Sequence, residues 1–286
     1  ELAGAGAGAR EIEVDVAAVE AEEARREVIP LRGLQRAMFK SMTEAARVPQ
    51  FAVGDEVRCE ALEALRRVLS ADAAARAALS PLPPPTAAKI TMLSLILKAL
   101  STALHDYPIM NSWVVAPPAS PSAPSPSPGI ISNAGLHHIS IAMDTPLGLV
   151  VPTLRNVQSL SIPEIAAELS RLRLLASSNT LRPADLTHGT LSVSNYGALL
   201  PTPVVSAGPV LLPPQVALCA VGRARWRARV VEEEGGGGAR VEGVEKVVRM
   251  DWAVDHRVVD GATALRFVGR VKEVMEQPER MMLGMR

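Results

Sequence analysis

The sequence predicts one α/β domain built on a mixed sheet flanked by helices. Three observations carry that prediction. Segments with apolar residues at helical spacing are interspersed with short alternating or continuously apolar segments that read as strands. Their order lacks strict βαβ alternation, which argues against a purely parallel sheet. Hydrophobic residues make up 48% of a 286-residue chain, enough for a sizeable core, and with only 3% aromatics that core must be built from Leu, Val, Ile, Ala and Met.

Taken in order, Glu1 to Glu27 starts with an Ala/Gly alternation and continues without a clear apolar face. It is expected to be a flexible linker to something upstream, with the folded domain occupying residues 28–286. Pro30 suits a helix start, and Leu31, Leu34, Met38, Met42 and Ala45 recur at helical spacing until Pro49. Phe51 to Val57 reads as a strand, and Leu62, Leu65 and Leu69 mark a second helix fading into the prolines at 81–85. Thr91 to Leu104 is a third helix, apolar on most sides and therefore central. Residues 116–128, rich in Pro, Ser and Ala, are expected to form an exposed excursion, because such a composition cannot offset its ordering entropy by burial.

His138 to Met143 alternates as a strand, and Gly148 to Pro152 continues extended. Ser161-Ile162-Pro163-Glu164 reads as a capping box that opens a helix from Glu164 to Leu175. Pro183 to Thr187 turns the chain into a strand, Thr190 to Ser194, ending at Asn195-Tyr196-Gly197. Val216 to Val221 is a short apolar run fit for a strand buried on both sides. Trp226 to Val231 and Val247 to Val254 are expected to pair around the loop Glu232 to Ala239, which holds four consecutive glycines. The helix Ala262 to Met275 closes the series.

Composition narrows the function. With 30 basic and 30 acidic residues the formal net charge is zero, and no basic face is evident, so nucleic acid and membrane are not expected partners. The longest apolar run, Met92 to Leu104, is interrupted by Lys98 and too short to span a bilayer. Cys59 and Cys219 lie far apart, which suggests buried thiols in a reducing compartment. No glycine-rich phosphate loop follows a strand, and no residues have metal-ligand spacing, so no metal site is expected.

The most informative stretch is Asp255-His256-Arg257-Val258-Val259-Asp260-Gly261. It places a histidine where a strand runs out, a carboxylate four residues on, and a glycine where the chain turns. Two readings stand side by side. His256 is a well-held base, or the segment is a surface turn in which Asp260 caps the next helix. His105, His137, His138 and His188 flank ordinary helix, strand and turn positions and are expected to be structural or solvent-exposed.

Several short motifs occur in one order along the chain: Pro30 to Met38, Asn111-Ser112, Ile141 to Thr145, Gly148 to Pro152, Ser192 to Asn195, and Asp255 to Gly261. In that order they resemble the catalytic domain of the 2-oxoacid dehydrogenase acyltransferases. Gln35, Met143-Asp144-Thr145 and Asn156-Val157-Gln158 are similar to the branched-chain members. The resemblance implies a chloramphenicol acetyltransferase-like fold: a mixed central sheet flanked by helices, in trimers that assemble into a cubic cage. The active site would lie between neighbouring subunits, so a monomer should be inactive. It implies upstream lipoyl and subunit-binding domains, through which a thiamine-dependent decarboxylase and dihydrolipoyl dehydrogenase would be engaged, and a mitochondrial matrix location if the source is eukaryotic. The apolar tail Met281-Met282-Leu283 would pack against a neighbouring trimer.

The implied reaction moves a branched-chain acyl group from S-acyl-dihydrolipoyllysine to coenzyme A. The alternatives are an acetyl-specific acyltransferase of the pyruvate dehydrogenase complex and a catalytically silent core subunit, which should have lost His256 or Ser194, whereas both are present. A thiol with a pKa of about 8.5 is mostly protonated at neutral pH, while a histidine near 6.5 is mostly neutral and can take its proton. By the resemblance, His256 would be that base, Ser194 the hydroxyl donor to the oxyanion, and Asp260 a carboxylate that supports the histidine loop. Coenzyme A would be contacted around Arg66, Thr91, Asp144, Arg173, Asn195, Ala198 and Gly222. One departure stands out: after Asn195 the family continues with a glycine-rich segment, where this chain has Ala198-Leu199-Leu200-Pro201-Thr202-Pro203.

Overall fold

A computed structural model describes residues 29–79, 88–115, 127–146, 148–199, 204–232 and 238–284. The linker expected at 1–27, the proline turn at 81–85, most of the excursion at 116–128 and most of the glycine loop lie outside the described residues. Helix α1 spans Gly33–Ala45, and the chain divides into two units after Met38. The second unit carries the sheet and everything discussed below.

That unit holds strand β1 (Gln50–Arg58), helices α2 (Glu60–Leu79) and α3 (Met92–Asp106), then strands β2 (Ser112–Val115), β3 (Gly129–Ser132), β4 (Ile139–Thr145), β5 (Gly148–Val150) and β6 (Thr153–Leu154). Helix α4 (Ile162–Ser177) leads to β7 (Leu191–Asn195), β8 (Ala217–Val221), β9 (Arg225–Glu232) and β10 (Ala239–Asp255), and α5 (Gly261–Glu276) follows. The main sheet runs β1-β10-β8-β7-β4-β5, with β6 beside β4 and β9 beside β10. β4, β7 and β8 are parallel, whereas β10 is antiparallel to β1, β8 and β9. The sheet is therefore mixed, as the element order predicts.

Alternation along the strands gives the sheet two different faces. Val193, Cys219 and Trp252 share one cross-strand row and point into the main core. There α3 contributes ten buried residues, and Phe267 of α5 meets Trp252 edge-on at 5.2 Å. The central position of α3 is thus explained by apolar residues on nearly all its sides. Its start is fixed by Thr91, whose side chain accepts from the Ser94 N–H, and α4 opens on the Ser161–Glu164 capping box.

The opposite face carries Ser192, Ser194, Asp251 and Ala253. Its apolar part is small, with Val48, Leu211, Leu218 and Ala253 clustered together. Polar pairs fill much of the rest: the Ser192 hydroxyl donates to Gln215 Oε1 at 2.6 Å, and the Ser140 and Thr153 hydroxyls are 2.9 Å apart.

The hairpin is the main correction. β9 pairs with Ala239 to Val247, not with Val247 to Val254. A loop of a few residues can pair only the chain immediately on either side of it, and β10 is one strand of 17 residues. Its second half lies between β1 and β8. The short strands β2 and β3 also escaped prediction, because they are brief and the second follows the proline-rich segment. At the other end Met281 is buried in the chain's own core, while Met282 is exposed.

Candidate active site

Strand β10 ends in a tight loop that holds His256. The loop closes because the Asp255 carbonyl accepts from the N–H groups of both Val258 and Val259. The Asp255 side chain is buried and gripped by Arg257, with Nε to Oδ1 at 2.9 Å and Nη2 to Oδ2 at 2.5 Å. That bidentate pair satisfies the carboxylate and anchors the start of the loop. The His256 N–H donates to the Pro49 carbonyl, and its ring lies 5.3 Å from the ring of Phe51.

His256 Nδ1 lies 2.9 Å from the carbonyl oxygen of Val259. A carbonyl can only accept, so Nδ1 carries the proton and Nε2 keeps its lone pair. The side chain is exposed, so Nε2 is open to a reactant.

Asp260 does not touch the imidazole through any hydrogen bond among the described residues. It is the N-cap of α5, accepting from the Thr263 N–H at 2.8 Å and the Thr263 hydroxyl at 2.9 Å. Those donors, the backbone N–H first, hold its pKa below the ordinary carboxylate range. The two readings of this heptapeptide therefore coexist: Asp260 caps a helix, and the cap fixes the residue next to the carbonyl that orients His256.

Ser194 sits at the end of β7, half-buried, and its hydroxyl has no hydrogen-bond partner among the described residues. Its backbone is clamped between Ala142 of β4 and Ala220 of β8. The register fixes its distance from His256. Ser194 aligns with Ala220, and Ala220 with Asp251, which is two strands away in the sheet and five residues before His256. At about 3.3 Å per residue and 4.8 Å per strand the two residues are roughly 20 Å apart. One copy of the chain does not bring them to one reacting atom.

Most of the other expected contact residues do converge. A cavity of about 640 Å³ is lined by Thr91, Asp144, Arg173, Asn195 and Ala198, together with Lys89 and Ser170. A second, of about 190 Å³, adds Gly197 and Gly222 and shares Met92, Leu93, Asn195 and Ala198 with the first. The shared lining makes one trough along the ends of β4, β7 and β8. Thr91 both caps α3 and lines this trough. Arg66 is the exception: it lies on α2, within 3.9 Å of Glu63, and lines neither cavity.

Lys89 and Ser170 were not anticipated. Lys89 lies two residues before the Thr91 cap, a position with no periodic signal of its own, and Ser170 reads as one more polar residue on α4. Neither Lys89 nor Arg173 forms an ion pair among the described residues, so the trough has two uncommitted cations. Gly197 is required where it is, because a Cβ there would run into the backbone of Gly222 and Arg223.

The remaining reactive side chains have structural roles. Cys59 and Cys219 are buried; burial pushes the Cys59 thiol up to about 11 and the Cys219 thiol well above its ordinary value, which disfavours a thiolate at either. His137 is buried 2.7 Å from the Ser101 hydroxyl, and burial lowers its pKa to about 4. Lys98, also lowered by burial, donates to the carbonyls of Gln158 and Leu160 and holds that turn to α3.

Comparison with known proteins gives a consistent picture. The family model described as 2-oxoacid dehydrogenases acyltransferase (catalytic domain) matches residues 23–283. The chain is 38% identical over 258 residues to the lipoamide acyltransferase component of the branched-chain alpha-keto acid dehydrogenase complex, mitochondrial, of Arabidopsis thaliana, covering 90% of this chain and 47% of the relative. It thus spans about half the length of that relative. A solved dihydrolipoamide acetyltransferase of Azotobacter vinelandii superposes with a TM-score of 0.73 at 26% identity, covering 94% of this chain and 98% of that one. That protein was studied for the catalytic roles of a serine, a histidine and an asparagine four residues after the histidine. The cubic core of the pyruvate dehydrogenase multienzyme complex also superposes with a TM-score of 0.73, at 25% identity and with the same coverage.

Proposed function

The chain belongs to the 2-oxoacid dehydrogenase acyltransferase family, as its catalytic domain, and on that premise we propose that it transfers a branched-chain acyl group from S-acyl-dihydrolipoyllysine to coenzyme A. The observation that carries this reading is the state of His256. Its Nδ1–H is committed to the Val259 carbonyl, which leaves an exposed Nε2 as a proton acceptor.

The chemistry follows from that atom. Nε2 takes the thiol proton of coenzyme A, and the thiolate attacks the thioester carbonyl carbon. The carbonyl oxygen becomes an oxyanion, which accepts a hydrogen bond from the Ser194 hydroxyl. Among the described residues that donor has no competing partner to give up, so little reorganisation is needed when charge develops. The tetrahedral intermediate collapses by breaking the bond to the dihydrolipoyl sulfur, which leaves with the proton returned from Nε2. Asp260 stays ionised and acts through the cap and the Val259 carbonyl, not as a proton relay. The asparagine at the corresponding spacing in the Azotobacter protein supports this, since an amide can cap a helix but cannot relay a proton.

Because Ser194 and His256 are roughly 20 Å apart in one chain, each site is completed by a neighbouring copy, His256 from one and Ser194 from the next. A closed ring of three such heterologous contacts gives a trimer, and trimers build a cubic core. The trough takes coenzyme A, with Lys89 and Arg173 set to meet its phosphates and Thr91, Asp144, Asn195, Ala198 and Gly222 shaping the rest. Arg66, away from this trough, is left to act on coenzyme A only from a neighbouring copy. The acyl group arrives on a lipoyl arm loaded by a thiamine-dependent decarboxylase and reoxidised by dihydrolipoyl dehydrogenase; in a eukaryotic source the compartment is the mitochondrial matrix.

The test is an acyl-transfer assay with dihydrolipoamide and acetyl-, isobutyryl- or isovaleryl-coenzyme A. Higher kcat/KM for the branched acyl groups is expected. Preference for acetyl would overturn the branched-chain assignment, and no transfer of any of the three would overturn the activity.

A further inference from the structure

Asp251 is a buried carboxylate in the middle of β10, and its oxygens are fully engaged. Oδ2 accepts from the Tyr196 hydroxyl at 3.1 Å and from the Ala207 N–H at 3.1 Å, and Oδ1 accepts from Arg249 Nε at 2.8 Å. Burying a carboxylate is costly unless partners of this kind replace its water. Two glycines make the space. A Cβ at Gly54 would collide with the Arg249 guanidinium and with Asp251 Oδ1, and a Cβ at Gly222 would lie 2.8 Å from the Tyr196 hydroxyl. Gly222 is thus the gap across which Tyr196 reaches from the end of β7 to β10.

We propose that Asp251 is a positioning residue for coenzyme A, acting through Tyr196 on the turn that forms part of the trough wall. The inference rests on reading the trough as the coenzyme A site. The ladder explains why the effect falls on binding and not on the oxyanion donor. Ser194 is paired on both sides, and Asn195 pairs with Val221. Beyond Asn195 the ladder stops, yet Gly197 and Ala198 line the trough. Their turn, Tyr196–Ala198, is held by the Leu199 N–H to the Tyr196 carbonyl, by Arg223 Nε to the Gly197 carbonyl, and by the Tyr196 side chain on Asp251. Oδ2 of Asp251 also takes the Ala207 N–H, so one oxygen holds both the Tyr196 turn and a residue on the way back to β8.

The experiment measures kcat, KM for coenzyme A and KM for S-acyl-dihydrolipoamide in Tyr196→Phe and Asp251→Asn, with the Kd for coenzyme A by calorimetry. Tyr196→Phe is expected to raise KM and Kd for coenzyme A about tenfold, the scale of a lost hydrogen bond to a charged group. It should leave kcat and the other KM within about twofold. Asp251→Asn, which also disturbs the bonds from Ala207 and Arg249, is expected to raise both at least as much, and the double variant to be no worse than Asp251→Asn, because the two changes act on the same Tyr196–Asp251 bond. If Asp251→Asn fails to fold, Tyr196→Phe decides alone, since it leaves the Arg249–Asp251 pair intact. An unchanged KM and Kd for coenzyme A in a wild-type-like Tyr196→Phe overturns the role of Asp251 only, as does a fall in kcat without a change in KM. A wild-type protein that does not bind coenzyme A overturns the reading of the trough itself.

Discussion

The imidazole of His256 donates its Nδ1 proton to the carbonyl oxygen of Val259, three residues on, at 2.9 Å. The loop thus selects its own tautomer, with no carboxylate hydrogen-bonded to the ring among the described residues. His256→Ala should lower kcat by about 10²–10⁴-fold, the usual contribution of a positioned general base. The side chain is exposed, so melting temperature and assembly size should not change; calorimetry and sizing alongside the assay check that separation.

Ser194→Ala removes the one hydroxyl assigned to the oxyanion. A loss of about 10²–10³ in kcat is expected, with KM for coenzyme A unmoved, because the Ser194 backbone stays in its ladder. Steady-state kinetics at saturating thioester would show it. A change confined to KM would remove Ser194 from the oxyanion role.

Asp260 separates support from proton transfer. Asp260→Asn preserves a cap for the Thr263 N–H and should retain activity within a few-fold, whereas Asp260→Ala should lower both Tm and kcat. The pH dependence has a defined sign. Its folded pKa lies below the unfolded value of about 4, so its stabilisation is present above that value and is lost as pH falls through the folded pKa. Wild-type Tm should therefore fall more steeply than that of Asp260→Asn below about pH 4, as a series of melts would record.

Much of this was legible in the sequence, for identifiable reasons. Periodicity located α3, β7 and β8 because β8 buries every residue and the other two bury most of theirs; the start read at Thr91 lies one residue before the observed one, and the helix read from Glu164 starts two residues earlier, at Ile162. The heptapeptide around His256 was visible because strand, turn and helix signals meet there. The hairpin register was not, since alternation in Val247 to Val254 is the same whether the neighbour is β9 or β1. Lys89 and Ser170 were invisible because lining a trough leaves no periodic trace. The Tyr196–Asp251 bond joins residues 55 apart, and only the strand order reveals it.

The central claim is that each site is shared between two copies. Mixing Ser194→Ala and His256→Ala subunits, each nearly inactive alone, tests it most directly. After co-expression or joint refolding, a site that draws His256 from one copy and Ser194 from the next is intact whenever the two copies come from different variants in the right order. Random mixing should restore about a quarter of wild-type activity. If both residues acted within one chain, no mixture would contain an intact site, and activity no higher than that of the separate variants would contradict the account.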